Sequence, residues 1–130
     1  MIMQTIETML RRFSNAWATF DTEVILNAVT DDVRFGMANS DDVIKGKAAF
    51  ADWLNNMDCG DGGKATITHH QFLLDGNRAM LTGDLEVSCE LGSERFAFCD
   101  VYELDGEKIK KLTAYLTKYG ESMACPSAGD

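Results

Sequence analysis

Between Phe96 and Tyr115 the chain reads FAFCDVYELDGEKIKKLTAY, a pattern that suits a two-stranded hairpin and not a helix. Strand side chains alternate with period two, so Phe96, Phe98, Asp100, Tyr102 and Leu104 share one face while Arg95, Ala97, Cys99, Val101 and Glu103 share the other. Asp105-Gly106 is a tight-turn pair, and Lys108 to Leu116 brings the chain back. The first face is apolar except for one carboxylate, Asp100. Ionising it among aromatic rings forfeits hydration, so it is expected to be protonated or paired. Bonded only to Tyr102 or to backbone amides it would be architectural; opening on a hollow it would be chemical.

Upstream, Ile6, Met9, Leu10, Phe13, Ala16, Trp17 and Phe20 recur at steps of three and four, predicting a long amphipathic helix over Thr5 to Phe20. Asp21 is a candidate N-cap for a short second helix with Val24, Ile25, Ala28 and Val29 as its apolar face, closed by Asp31-Asp32. Val33, Phe35 and Met37 alternate as a first strand before a polar loop over Asn39-Ser40-Asp41-Asp42. A third helix is predicted from Lys47 to Met57, with Phe50, Trp53, Leu54 and Met57 on one side. After the glycine-rich Cys59 to Gly63 segment come strands over Thr66 to Leu74 and Arg78 to Val87, turned by Asp75-Gly76-Asn77.

Three helices with one short strand among them, followed by four antiparallel strands, predict an α+β domain in which a curved, cone-shaped sheet wraps around the N-terminal helices. At 130 residues and 45% hydrophobic content the chain suits one domain, expected over 1–118, with 119–130 as a flexible tail. A sheet bent around a long helix leaves a hollow, the default small-molecule site. The residues expected to line it are Phe13, Trp17, Phe35, Met37, Trp53, Met57, Phe72, Leu81, Leu85, Phe98, Leu112 and Leu116, each on the dry side of its element.

The charge pattern removes other classes. A formal net charge of -9 opposes nucleic-acid binding, which needs a basic surface, and the densest basic groups, Arg11-Arg12 and Lys108, Lys110, Lys111, suit solvated faces. No run approaches the roughly 18 apolar residues of a membrane span, and MIMQTIETMLRR lacks signal-peptide order, so a cytoplasmic protein is expected. Cys59, Cys89, Cys99 and Cys125 have neither C-x-x-C spacing nor histidines at zinc-ligand offsets, so neither a disulfide framework nor a metal site is suggested. His69 and His70 are adjacent, and adjacent strand residues point oppositely, which also disfavours a metal site.

Thr30-Asp31-Asp32-Val33-Arg34-Phe35, Lys45-Gly46-Lys47-Ala48-Ala49-Phe50 and Asp100 to Ile109, in this order of elements, resemble the SnoaL-like and ketosteroid isomerase-like members of the nuclear transport factor 2 superfamily. The likeness spans roughly Thr5 to Lys118. It implies a cone-shaped pocket for a small hydrophobic carbonyl compound, chemistry without a cofactor, and a homodimer. Asp100 falls where the isomerases keep a protonated aspartic acid in their oxyanion hole. Phe13 stands where they have a tyrosine donor and Met37 where they have the aspartate base, so their usual arrangement is incomplete. Several cyclases of the superfamily pair a histidine with an aspartate, which draws attention to the two histidines.

If Thr66, Thr68, His70, Phe72 and Leu74 share a face by alternation, His70 points into the cone and His69 out of it. Neutral imidazole is a competent base near neutral pH, so His70 with Asp100, and Tyr102 as a second donor, are the expected catalytic set. His70 could instead lie at the rim, bonded to a carbonyl or water. Arg34, Asp84 and Glu86 are expected on outward positions, facing solvent or a dimer partner, and Ala97, Cys99 and Val101 give that outer face apolar content for self-association. Two functions stay open: proton-transfer catalysis on a polyketide-, steroid- or terpenoid-like carbonyl compound, or binding of an apolar molecule without turnover.

Overall fold

The apolar stripe of the first helix buries Ile6, Leu10, Phe13 and Ala16 against the inner face of a six-stranded sheet, and the rest of the molecule is arranged around that contact. The computed structural model describes residues 2–56, 64–89 and 92–120. Helix α1 runs Ile2–Thr19, α2 Thr22–Asn27 and α3 Lys47–Asn56; the strands are β1 Val29–Met37, β2 Val43–Lys45, β3 Lys64–Asp75, β4 Arg78–Cys89, β5 Gly92–Asp105 and β6 Lys108–Lys118. The sheet order is β2-β1-β6-β5-β4-β3, curved and unclosed. Every neighbouring pair is antiparallel except β1 and β6, which run parallel.

One residue both ends α1 and starts α2. Phe20 takes a left-handed conformation at φ 54, and the Asp21 N–H then reaches back to the Ala16 carbonyl at 2.8 Å, which closes the last turn of α1. The Asp21 carboxylate in turn accepts from the Val24 N–H at 3.3 Å, as an N-cap should. The second helix is shorter than its apolar pattern suggested. Val29 belongs to β1, opposite Ile109, because the parallel pairing with β6 starts there, with the Ile109 N–H donating to the Ala28 carbonyl at 2.8 Å. A short edge strand, β2, follows the loop where sequence gave no strand signal; it pairs Ile44 with Phe35. Gly46, at φ 92, donates to the Val33 carbonyl and turns the chain into α3.

Tyr119, expected in the tail, is fixed to the sheet: its N–H donates to the Arg95 carbonyl at 2.8 Å and its hydroxyl to Asp84 at 2.8 Å. Met57 and the remaining tail residues lie outside the described residues. Among the described residues no helix is long and apolar enough to cross a membrane.

Candidate functional site

Where α1 and α3 meet the inner face of the sheet they leave a cavity of about 180 Å³. Its wall is mainly apolar. Trp17 from α1 and Trp53 from α3 meet Phe35 of β1, with ring centroids 6.1 Å apart for Trp17–Trp53 and 5.1 Å for Phe35–Trp53. Met37, Ile67, Leu85, Phe98, Leu112 and Ala114 complete the sides, and the exposed Tyr115 and Leu116 form the rim. The polar interruptions in this wall are Ser14 and Asp100. A larger groove of about 570 Å³ lies between α1 and α2, but it is lined by exposed Gln4, Thr8, Arg12 and Asn27 and has no part of Asp100.

Asp100 owes its place to the alternation of β5, opposite Leu81 on β4 and Ala114 on β6. The residue keeps partial accessibility because it opens on the cavity. Burial in this apolar wall raises its pKa from the ordinary 3.8 to about 7, against a smaller opposing effect of the Tyr102 hydroxyl, which donates to Oδ2 at 3.4 Å. Tyr102 itself is fully enclosed, edge-on to Phe13 with centroids 6.1 Å apart, and burial and the neighbouring Asp100 hold its phenol well above the usual range. It is the residue behind Asp100 and not part of the cavity lining.

The histidines are reversed relative to expectation. β3 pairs His69 with Gly83 and Gln71 with Thr82, so His70 is an extra residue in a β-bulge. The bulge resets the alternation: Ile67 and His69 are half-buried before it, Phe72 and Leu74 after it. His69 therefore faces α1, where its Nε2 lies 3.1 Å from Ser14 Oγ. His70, expected in the cone, stands on the outer face, 3.2 Å from Asp84 Oδ2. Its expected pairing with Asp100 is not formed.

The bulge had a signal in the opposite strand. A Cβ on Gly83 would meet the Thr68 carbonyl oxygen and come within 2.8 Å of the Phe98 ring, so glycine is required for β3 and Phe98 to approach this closely. Ser14 also had one. It is a polar residue set between Leu10 and Trp17 on the buried side of α1, and it is only 3% exposed.

Of the residues expected to line the cone, Trp17, Phe35, Met37, Trp53, Leu85, Phe98, Leu112 and Leu116 do so. Phe13 and Leu81 are instead buried in the core between α1 and the sheet, and Phe72 packs against that core. Ser14, Ile67, Ala114 and Tyr115 were not anticipated. On the outer face Asp84 is held by Arg95 at 2.7 Å, by Tyr119 and by His70, and these partners keep its carboxyl down at about 2. Among the described residues no three histidine, cysteine or acidic side chains gather in a metal-sized group.

The family follows from comparison with this geometry in view. The SnoaL-like domain model matches residues 10–112. The chain belongs to the SnoaL-like family. Solved structures agree on the fold. An epoxide hydrolase of M. tuberculosis, LEH-like in type, superposes with a TM-score of 0.74 at 19% identity, over 87% of this chain and 83% of that one. A ketosteroid isomerase candidate from Kribbella flavida gives 0.69 at 16% identity, over 96% and 87%. A polyketide cyclase candidate from Xanthomonas campestris gives 0.72 at 15%, over 86% and 90%. No curated protein matches the sequence.

Proposed function

We propose that this SnoaL-like protein binds a neutral carbonyl compound about one ring in size, and that the un-ionised Asp100 carboxyl donates to the carbonyl oxygen and so promotes proton transfer at the neighbouring carbon. The observation that carries this reading is a carboxyl opening on an apolar cavity, with its pKa raised to about 7 by burial. A donor poised near neutral pH stabilises charge developing on a bound oxygen, and a water-poor wall strengthens that interaction. An apolar cavity of about 150 Å³ accommodates benzene, so one of about 180 Å³ suits a single ring, and a fused polycyclic skeleton would have to extend past Tyr115 and Leu116. The reaction moves only protons and requires no electron or group donor. Isomerase and cyclase chemistry of this kind agrees with what two of the structural relatives are named for.

The test is the binding of cyclohexanone, followed by NMR, in the parent, Asp100→Asn and Asp100→Leu. Asparagine keeps a donor and should retain much of the affinity; leucine should lose about tenfold or more, the loss of one hydrogen bond in a dry site. Equal affinity in the leucine variant would remove Asp100 from the site.

A second reading is binding without turnover. It is favoured by Phe13, which is sealed in the core, and Met37, whose thioether lines the cavity where an acid or base would be useful. The same cavity would then serve as a carrier or sensor pocket. Under either reading we propose self-association through the outer sheet face around Ala97, Cys99 and Val101, which light scattering would contradict by returning the chain mass of 14.4 kDa at micromolar concentration.

A further inference from the structure

The proposed reading leaves a question of chemistry: Asp100 can donate, but something must take the proton from carbon. Met37, which lines the cavity where the resemblance would put the isomerase base, cannot. Ser14 is the other polar group in the cavity wall, and its hydroxyl has one partner among the described residues, His69 Nε2 at 3.1 Å. His69 is not among the lining residues, so it bears on the cavity through Ser14.

We infer that the Ser14–His69 pair is the proton acceptor of this cavity, with Ser14 Oγ facing the bound compound and His69 Nε2 behind it as the proton's destination. The inference rests on the proposed reading of Asp100 and supplies its missing half.

Three observations support it. First, the pair is held by rigid elements, Ser14 in mid-helix and His69 at the bulge that Gly83 allows, so its geometry does not depend on a loop. Second, the neutral form of His69 is favoured: burial lowers its pKa, and Arg11 and His70 lower it further. The charges acting on it are Arg11 on α1, salt-bridged to Glu7 at 2.8 Å, and His70 beside it on β3, which is engaged with Asp84 on the outer face; Asp100 of β5 faces the same cavity as Ser14. A neutral ring with the proton on Nδ1 leaves Nε2 free to accept the Ser14 hydroxyl proton. Third, a serine whose O–H points at an imidazole turns its lone pairs elsewhere. Ser14 then presents an acceptor to the cavity, complementary to the donor at Asp100.

The step balances. A C–H bond next to the carbonyl breaks, and its proton goes to Ser14 Oγ as the Ser14 proton passes to His69 Nε2. The C–H electron pair becomes the double bond of an enolate, whose oxygen accepts a hydrogen bond from the Asp100 O–H. Return of the proton to the same carbon gives exchange with solvent hydrogen; return to a conjugated carbon gives an isomer. The compound is therefore an enolisable ketone or aldehyde.

The experiment uses the full chain with cyclohexanone in deuterated water. Deuterium incorporation is read by mass spectrometry, and binding by NMR in parallel. The parent should bind and exchange faster than buffer. Ser14→Ala should bind but lose exchange by about 10² or more, and His69→Gln by about 10² to 10⁴. Glutamine can keep a hydrogen bond to Ser14, and with it the α1–β3 contact, but cannot take a proton. A merely structural pair would leave its rate unchanged. In the parent the rate should rise with pH as His69 becomes neutral and fall again as Asp100 ionises near pH 7, and the acid limb should vanish in His69→Gln. Nitrogen NMR of the parent should show the Nδ1–H tautomer. Exchange at the parental rate in both variants would overturn the pair and leave the Asp100 reading standing; a parent that binds cyclohexanone without exchange above buffer would overturn the pair together with proton transfer at Asp100, leaving binding without turnover. A parent that fails to bind cyclohexanone would overturn both. Should one variant fail to fold, the other still decides.

Discussion

Asp100 should make the protein less stable as pH rises, opposite to the usual behaviour of a paired carboxylate. The pKa is raised to about 7 in the fold, against an ordinary 3.8. Below about pH 4 both folded and unfolded chains carry the proton, and the group contributes no pH dependence. Between about pH 4 and pH 7 the unfolded chain loses its proton while the folded chain keeps it, so the unfolded state gains and stability falls. Above about pH 7 both are ionised and the slope ends. About three pH units at about 1.36 kcal/mol each give a loss of about 4 kcal/mol, a large part of a typical 5–15 kcal/mol for a domain. Urea melts of the parent and of Asp100→Asn across this range measure it. Asparagine cannot ionise, so the difference between the two curves isolates the group from the growing repulsion of a chain with net charge -9. The variant should gain on the parent steadily from about pH 4 to pH 7 and then run parallel. Parallel curves throughout would mean that the carboxyl is not held un-ionised, and the proposed donor role would fall with it.

Other outcomes are as definite. Tyr102→Phe removes the one hydroxyl donated to Asp100, a bond that lowers its pKa, so carbonyl NMR should find that carboxyl titrating higher than in the parent. Gly83→Ala sets a methyl against the Thr68 carbonyl and the Phe98 ring, an overpacking that should cost about 1–3 kcal/mol in urea unfolding; an unchanged midpoint would mean that β3 yields there freely. His70→Gln, on the outer face, should leave cyclohexanone affinity and the urea midpoint unchanged, and a loss of affinity would return His70 to the site. Asp84 acts in the opposite sense to Asp100: its lowered pKa contributes stability above the ordinary 3.8 that is lost as pH falls towards about 2, and Asp84→Asn should flatten that acid limb.

The sheet and the long helix were legible because their patterns are long. Six of the seven apolar residues at helical spacing lie in α1, and in β5 the alternation from Phe98 to Leu104 survives intact in the structure, which puts Asp100 where the sequence suggested. The parallel contact between β1 and β6 was not legible, since neither strand carries a mark of its partner's direction, and Val29 read equally well as the end of a helix. At the site, the aromatic wall followed from the same periodicities. Of the polar groups only Asp100 did. Alternation can be carried along a strand only while the ladder is regular, and one extra residue in β3 inverted every inference about His69 and His70. Ser14 carried a signal too weak to act on: on a helix face a single small polar residue among Leu10, Phe13 and Trp17 is compatible with the core, and only the approach of His69 gives it a chemical partner.

The bulge also changes what heredity can do here. With two histidines in a row, the identity of the one inside is a matter of register and not of side chain. Losing one residue at this point would leave a histidine in the sequence and straighten the strand, while a gain elsewhere in β3 would shift the parity again. A lineage could therefore move its imidazole from the outer surface to the α1 side by a one-residue insertion or deletion without substituting any residue, and two relatives matched histidine to histidine by letter could hold theirs on opposite sides of the same sheet.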